Sequence, residues 1–197
     1  RYSQSGRIPE FLRTHPLSEK RISDTRARAM QYPKRIRSVS LDYQLMRARV
    51  AVQAARTPEE AVATFRSALE GNSVPTAATT YGLVLALTAA GRADEAALAL
   101  DSIWAGDSDR IEYVIADAEI DLARGNTIRA VATLERRLEL SPGNHPLTMS
   151  YAHALQQAGS PHLAEAVLID QSRLMPNDPG LWYLLAEVQG LAGNIVG

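Results

Sequence analysis

Histidines, carboxylates and hydroxyls are the groups with which a chain does chemistry, and here their spacing builds none of the familiar centres. A helical zinc site of the peptidase kind requires two histidines one turn apart with a glutamate beside the first, the pattern HExxH. His15, His145, His153 and His162, all the histidines of the sequence, have no such spacing. Asp107-Ser108-Asp109 is the start of a calcium-loop pattern. Glycine and glutamate do not follow at the offsets that loop demands, so the triplet reads as a polar turn between helices. The sequence has no glycine-rich phosphate loop and no nucleophile triad. With no cysteine there are no disulfides and no thiolate-bound metals, which leaves the compartment open. By its own residues the chain is expected not to be an enzyme and to carry no cofactor. It should work by binding.

What the sequence does carry is a rhythm. Gly91, Gly125, Gly159 and Gly193 follow at intervals of 34 residues; Ala96, Ala130 and Ala164 keep the same step, and so do Pro142 and Pro176. Between Ile111 and Arg124, the apolar residues Ile111, Val114, Ile115, Ala118 and Leu122 fall at helical spacing. Gly125-Asn126 stops that helix, since both residues tolerate the left-handed conformation of a helix end. A second helix from about Thr127 puts Ala130, Val131, Leu134 and Leu138 on one face, and Ser141-Pro142-Gly143 ends it. The next unit repeats the plan, with Tyr151, Ala152 and Leu155 before Gly159, then Ala164 and Leu168 before Pro176. A last helix begins at Pro179 with Trp182, Leu185 and Ala186. Its apolar face lacks a partner in the sequence, so the chain is expected to end inside a longer array. Upstream, a helix from about Leu41 to Ala55 and another from Pro58 through Ala61 and Phe65 to Leu69 form a first unit. That unit has Arg56-Thr57 in place of the turn glycine, and one extra residue is absorbed at Gly71-Asn72-Ser73, as suits a terminal repeat.

A helix pair with a glycine at the corner, an alanine five residues on and a proline at the end, every 34 residues, resembles the tetratricopeptide repeat. The resemblance implies an all-α solenoid, a right-handed superhelix of helix-turn-helix units whose first helices line a concave groove for protein or peptide. By repeat position the groove-facing residues are expected to be Tyr43, Met46, Gln53, Tyr81, Leu85, Glu119, Met149, His153, Gln156, Tyr183 and Glu187. Aromatic and methionine side chains suit extended or partly folded polypeptide, although any one of them could instead pack between repeats. Arrays of this kind that grip the acidic C-termini of cytosolic chaperones use lysine, asparagine and arginine at fixed groove positions. Those positions here hold Tyr81, Leu85, Glu119, Met149 and His153, so no cationic clamp for a terminal carboxylate is expected.

The sequence is 46% hydrophobic and 22% charged, the composition of an ordinary globular protein with enough apolar residues for a continuous core. Its longest apolar run, Tyr81 to Ala90, is too short and too interrupted to cross a bilayer. The net charge of −1 hides an asymmetry: residues 1–37 hold ten Lys or Arg against three Asp or Glu, residues 38–197 eleven against nineteen. An acidic array behind a basic head is not the layout of a nucleic-acid binder, whose positive charge lies along the binding surface. The head is expected to pair with an acidic neighbour, with phosphate or acidic lipid as the alternative. The domain division is thus a basic helical tail plus linker at 1–37 and the array at 38–197, about four repeats and the first helix of a fifth. In the tail a helix is predicted from Ser18 to Tyr32, stopped by Pro33. Its thin apolar face of Ile22, Ala29 and Met30 makes it an element that docks on something else.

Phe11-Leu12, then Thr14-His15-Pro16, then Glu19 and Arg21-Ile22, all directly before a repeat array, resemble a segment of known enzymes. It is the segment that closes the catalytic domain of membrane-associated, periplasmic zinc metallopeptidases of the HExxH class, a family of outer-membrane protein quality control. The resemblance implies a parent zinc metalloendopeptidase in the periplasm, whose array binds polypeptide substrates or outer-membrane assembly partners. In that family two histidines and a downstream glutamate hold the zinc, and those positions do not occur in this sequence. His15 takes the place of a regulatory fourth ligand that closes the site; a loop histidine with no metal role is the alternative. A stand-alone scaffold that assembles a complex through the same groove, with no protease, is the competing reading. Self-association through the last helix is a third.

Overall fold

A computed structural model of the chain describes residues 19–30, 39–71, 76–107 and 109–193. The expectations placed on Phe11, Leu12, His15, Ser18, Tyr32, Pro33, Ser38, Asn72, Ser73 and Ser108 lie outside the described residues. The chain divides between Val39 and Ser40 into two units. The first contributes one described helix, α1 (Glu19–Met30), in which Ile22 is half-buried and Met30 exposed.

In the second unit the described residues form helices joined by short turns: α2 (Leu41–Ala54), α3 (Pro58–Glu70), α4 (Thr76–Ala89), α5 (Ala93–Trp104), α6 (Ile111–Ala123), α7 (Thr127–Leu140), α8 (His145–Gln157), α9 (Pro161–Leu174) and α10 (Pro179–Ala192). Their starts are set locally. Ser40, Thr57, Asn144 and Asp178 accept a hydrogen bond from the N–H three residues on, and Pro58, Pro161 and Pro179 occupy first turns where no N–H is needed. Their ends at the corners are set by glycine. Gly91, Gly125 and Gly159 have φ of +72°, +78° and +73°. The residue after each donates back five positions, Arg92 to Leu87, Asn126 to Asp121 and Ser160 to Leu155, at 2.8, 2.8 and 2.9 Å. Nothing lies within 4 Å of where a Cβ would stand at any of the three, so backbone conformation alone requires glycine there.

Each corner folds a helix back on its predecessor, and the contact is made through a small residue. Ala96, Ala130 and Ala164 are fully buried, which lets α5, α7 and α9 close on α4, α6 and α8. The apolar faces merge into a column. One cluster runs from Leu45 and Tyr81 to Ile120, the next gathers round Leu134 and Leu147, and the last joins Leu168 to Leu181 and Val188; Val131 and Tyr151 pack against both of the latter two. The first pair departs from the expected hairpin. α2 ends at Ala55 in extended backbone (φ −67°, ψ 146°) rather than in a left-handed turn, because Arg56-Thr57 replaces the glycine. α2 therefore packs mainly on α4 and meets α3 at few points, while α3 packs on α4.

Candidate functional site

The first helices α2, α4, α6 and α8 share an open cleft of about 400 Å³. Helix α2 lines it with Arg49, Val52 and Gln53, α4 with Leu85, Thr88 and Ala89, α6 with Glu119, Leu122 and Ala123, and α8 with His153 and Gln157. This set obeys the repeat. Leu85, Glu119 and His153 stand 34 residues apart, and Ala89, Ala123 and Gln157 follow them one helical turn on. Leu85 is buried, Val52 and Leu122 are half-buried, and Gln53, His153 and Gln157 are exposed. The cleft thus joins an aliphatic lining to accessible amides and an imidazole, with the His153 and Gln157 side-chain nitrogens 3.1 Å apart.

One ion pair spans three repeats inside it. Arg49 Nη1 donates to Glu119 Oε1 at 2.9 Å and Nη2 reaches Oε2 at 3.4 Å, tying α2 to α6. Arg49 Nη2 and Nε also donate to the Tyr81 hydroxyl on α4, at 2.8 and 3.2 Å. All three guanidinium nitrogens are thereby engaged. Burial works against the charge on Arg49, but Glu119 and Tyr81 outweigh it and hold the guanidinium charged well above its ordinary range. Burial pushes the Tyr81 phenol up to about 12 in spite of the arginine, so it stays a neutral acceptor.

Of the expected groove residues, Gln53, Leu85, Glu119 and His153 come together in this cleft. Tyr81 requires correction: it is 0% exposed, its ring tilted against Tyr113 with centroids 5.9 Å apart, and it belongs to the core between α4 and α6. Met149 and Gln156 are half-buried, Met149 against the cluster shared by α8, α9 and α10. Tyr43 and Met46 are exposed on α2 without lining the cleft, the Tyr43 ring lying under the Arg47 guanidinium at 5.8 Å. Tyr183 and Glu187 are exposed on α10, likewise away from it.

Sequence reasoning missed Arg49, Val52, Thr88, Ala89, Leu122, Ala123 and Gln157. For Ala89, Ala123 and Gln157 the signal was available, since a residue four past a groove-facing one shares its face. For Arg49 the same rule placed it on the groove face, three after Met46 and four before Gln53, whereas its pairing with Glu119, 70 residues away, had no local sign. Arg49 is not one of the five positions at which a cationic clamp was expected to be missing, and Glu119 holds its charge. As for zinc, no three His, Cys, Asp or Glu side chains gather as a metal requires among the described residues, and His15 is not among them.

Residues 121–188 match the family model of the tetratricopeptide repeat. The chain is 30% identical over 190 residues to the beta-barrel assembly-enhancing protease of Yersinia pestis, covering 94% of this chain and 38% of that protein. It is 29% identical over 191 residues to the beta-barrel assembly-enhancing protease of Escherichia coli (strain K12), covering 96% of this chain and 39% of the other. It thus spans well under half the length of these relatives. Among solved structures it matches a thermophilic TPR protein of Thermus thermophilus with a TM-score of 0.61, over 76% of this chain and 83% of that one. At 20% identity this is a likeness of fold. The array is a tetratricopeptide solenoid, homologous to part of those proteases.

Proposed function

We propose that this tetratricopeptide array holds extended or partly folded polypeptide in its cleft on behalf of a parent zinc metalloendopeptidase of the periplasm. The polypeptides would be substrates, or partners in the assembly of outer-membrane β-barrels. Support for the parent comes from homology along 94% of the chain to part of a protein named for β-barrel assembly and proteolysis. Residues 1–37 are then the tail of the peptidase domain and 38–197 the holding array, with His15 as a regulatory zinc ligand in the parent. The groove proposed to meet the bound chain is the cleft, extended along the first helices by Tyr43, Met46, Met149, Gln156, Tyr183 and Glu187.

The observation that carries the binding reading is the composition of the cleft. Three successive first helices contribute Val52, Leu85, Ala89, Leu122 and Ala123 to one aliphatic lining, and the exposed Gln53 of α2 and His153 and Gln157 of α8 edge it. An extended chain needs that combination, apolar contact for alternate side chains and polar groups for the backbone between them. Nucleic acid does not fit an acidic array. No described helix is long and apolar enough to cross a membrane.

The test is to fill the cleft. Ala89 and Ala123 are exposed on its wall, so Ala89→Trp and Ala123→Trp should fold normally while blocking it. Titrated by fluorescence anisotropy against a labelled, unstructured peptide from a β-barrel strand, each should lose about tenfold or more in affinity. Leu98→Trp, on the exposed side of α5, should not. Unchanged affinity in both cleft variants would remove the proposal. The sequence preceding Arg1 decides the parent: an HExxH motif about one domain earlier supports the protease, and a continuous chain without one supports the stand-alone scaffold.

A further inference from the structure

Arg49 is the one lysine or arginine among the residues that line the cleft, and each of its three guanidinium nitrogens already donates to Glu119 or Tyr81. A carboxylate entering the cleft would have to displace the tethered carboxylate of Glu119, and would meet its negative charge while doing so. An ammonium or guanidinium entering would meet Arg49 instead. Between the two charges only an uncharged stretch enters without opposition, and Val52, Leu85 and Leu122 beside them offer it an apolar seat. Specificity of this sort is built by what a site repels as much as by what it attracts.

We infer that Glu119 is the specificity determinant of the groove: by occupying Arg49 it selects an internal, uncharged, apolar-anchored segment of polypeptide and turns acidic segments away. The inference rests on the reading of the cleft as a polypeptide groove. Removing the Glu119 charge leaves Arg49 Nη1 without its carboxylate partner, and Tyr81 holds the guanidinium where it stands. A planar cation held in place beside an apolar seat is a carboxylate receptor. The two side chains are 24% and 32% exposed, so solvent screens the pair only in part.

The experiment uses the 197-residue chain and three fluorescein-labelled peptides, alike except for a Glu, Gln or Lys beside a central pair of leucines. Affinities are measured by anisotropy at low salt for the native sequence, Glu119→Gln, Arg49→Gln and the double variant. The native chain should prefer the Gln peptide. Glu119→Gln should shift the ratio of Glu-peptide to Gln-peptide affinity by about tenfold toward Glu. Arg49→Gln should shift the Lys ratio the other way, and the double variant should return to the Gln preference. A pair that merely ties α2 to α6 would lower the melting temperature in these variants and leave the ratios alone. That result, with the Gln peptide still bound, overturns the inference and spares the groove. Failure of the native chain to bind any of the three peptides removes both. Should Glu119→Gln not fold by circular dichroism, Arg49→Gln decides alone, and an unmoved Lys ratio overturns the inference.

Discussion

The ring of Phe65 on α3 fills the place where a side chain on Gly82 of α4 would begin: a Cβ there would lie 2.2 Å from Phe65 Cε1 and 2.4 Å from Cζ. Gly82 sits mid-helix and is buried between its neighbours in sequence, so propensity alone favours Ala there by about 1 kcal/mol. Overpacking opposes it by about 1–3 kcal/mol, unless the half-buried ring swings aside. We expect Gly82→Ala to destabilise by about 1 kcal/mol in urea denaturation. In a Phe65→Ala background the same change should stabilise, by about 1 kcal/mol at most. A penalty that persists without the ring would show that something other than this contact demands glycine.

The repeated alanines predict a sharp contrast along one helix. Ala130 is fully buried between α6 and α7, whereas Ile128, two residues before it, is 84% exposed. Ala130→Leu should cost about 1–3 kcal/mol, since the pair cannot close around the added carbons. Ile128→Ala should fall within about 0.5 kcal/mol of zero. Comparable losses at both positions would mean that the pair is not held by close approach at the alanine.

These contrasts also show where the sequence was readable. Helix starts and corners rest on local backbone demands, and Gly91, Gly125, Gly159 and Pro179 announce them residue by residue. Part of the cleft was readable because Leu85, Glu119 and His153 keep the period. What was not readable depends on a third helix. Whether Tyr81 faces the groove or the core is decided by Tyr113, one repeat on, and by Arg49, one repeat back. The loose contact between α2 and α3 has its sequence sign in Arg56-Thr57, yet a missing glycine tells that the corner differs and not where the helix goes instead.

The corners make a prediction about backbone alone. Gly125 has φ +78° with empty space around its missing side chain, and Gly106, in the turn after α5, has no positive φ and only a distant carbonyl at 3.9 Å. Gly125→Ala should therefore lose about 1–2 kcal/mol by forcing an L residue into the left-handed region. Gly125→Asn should lose less, and Gly106→Ala should be neutral or slightly stabilising through the unfolded chain. The check is a set of chemical denaturation curves with equal slopes. If Gly125→Ala proves neutral, the corner does not depend on the conformation that sets the 34-residue rhythm.

The junction between α9 and α10 predicts a pH dependence. Asp178 Oδ1 accepts from the Leu181 N–H at 2.8 Å, capping α10, while Oδ2 lies 3.1 Å from His145 Nε2 at the start of α8. The other His145 nitrogen, Nδ1, is 3.3 Å from the amide nitrogen of Gln171. The Leu181 N–H holds the Asp178 carboxyl below its ordinary range near 3.8; desolvation opposes it, and His145 and the Gly180 N–H add to the lowering. A folded-state pKa below the unfolded one stabilises in full above the unfolded value, and that stability disappears as pH falls through it to the lower, folded value. Asp178→Asn keeps a capping oxygen but cannot titrate. It should be less stable than the native chain at about pH 6, with the gap narrowing toward about pH 3. Urea midpoints across that range measure it. Parallel curves for the two proteins would mean that the Asp178 charge contributes nothing to the junction, and that the cap is held by the hydrogen bond alone.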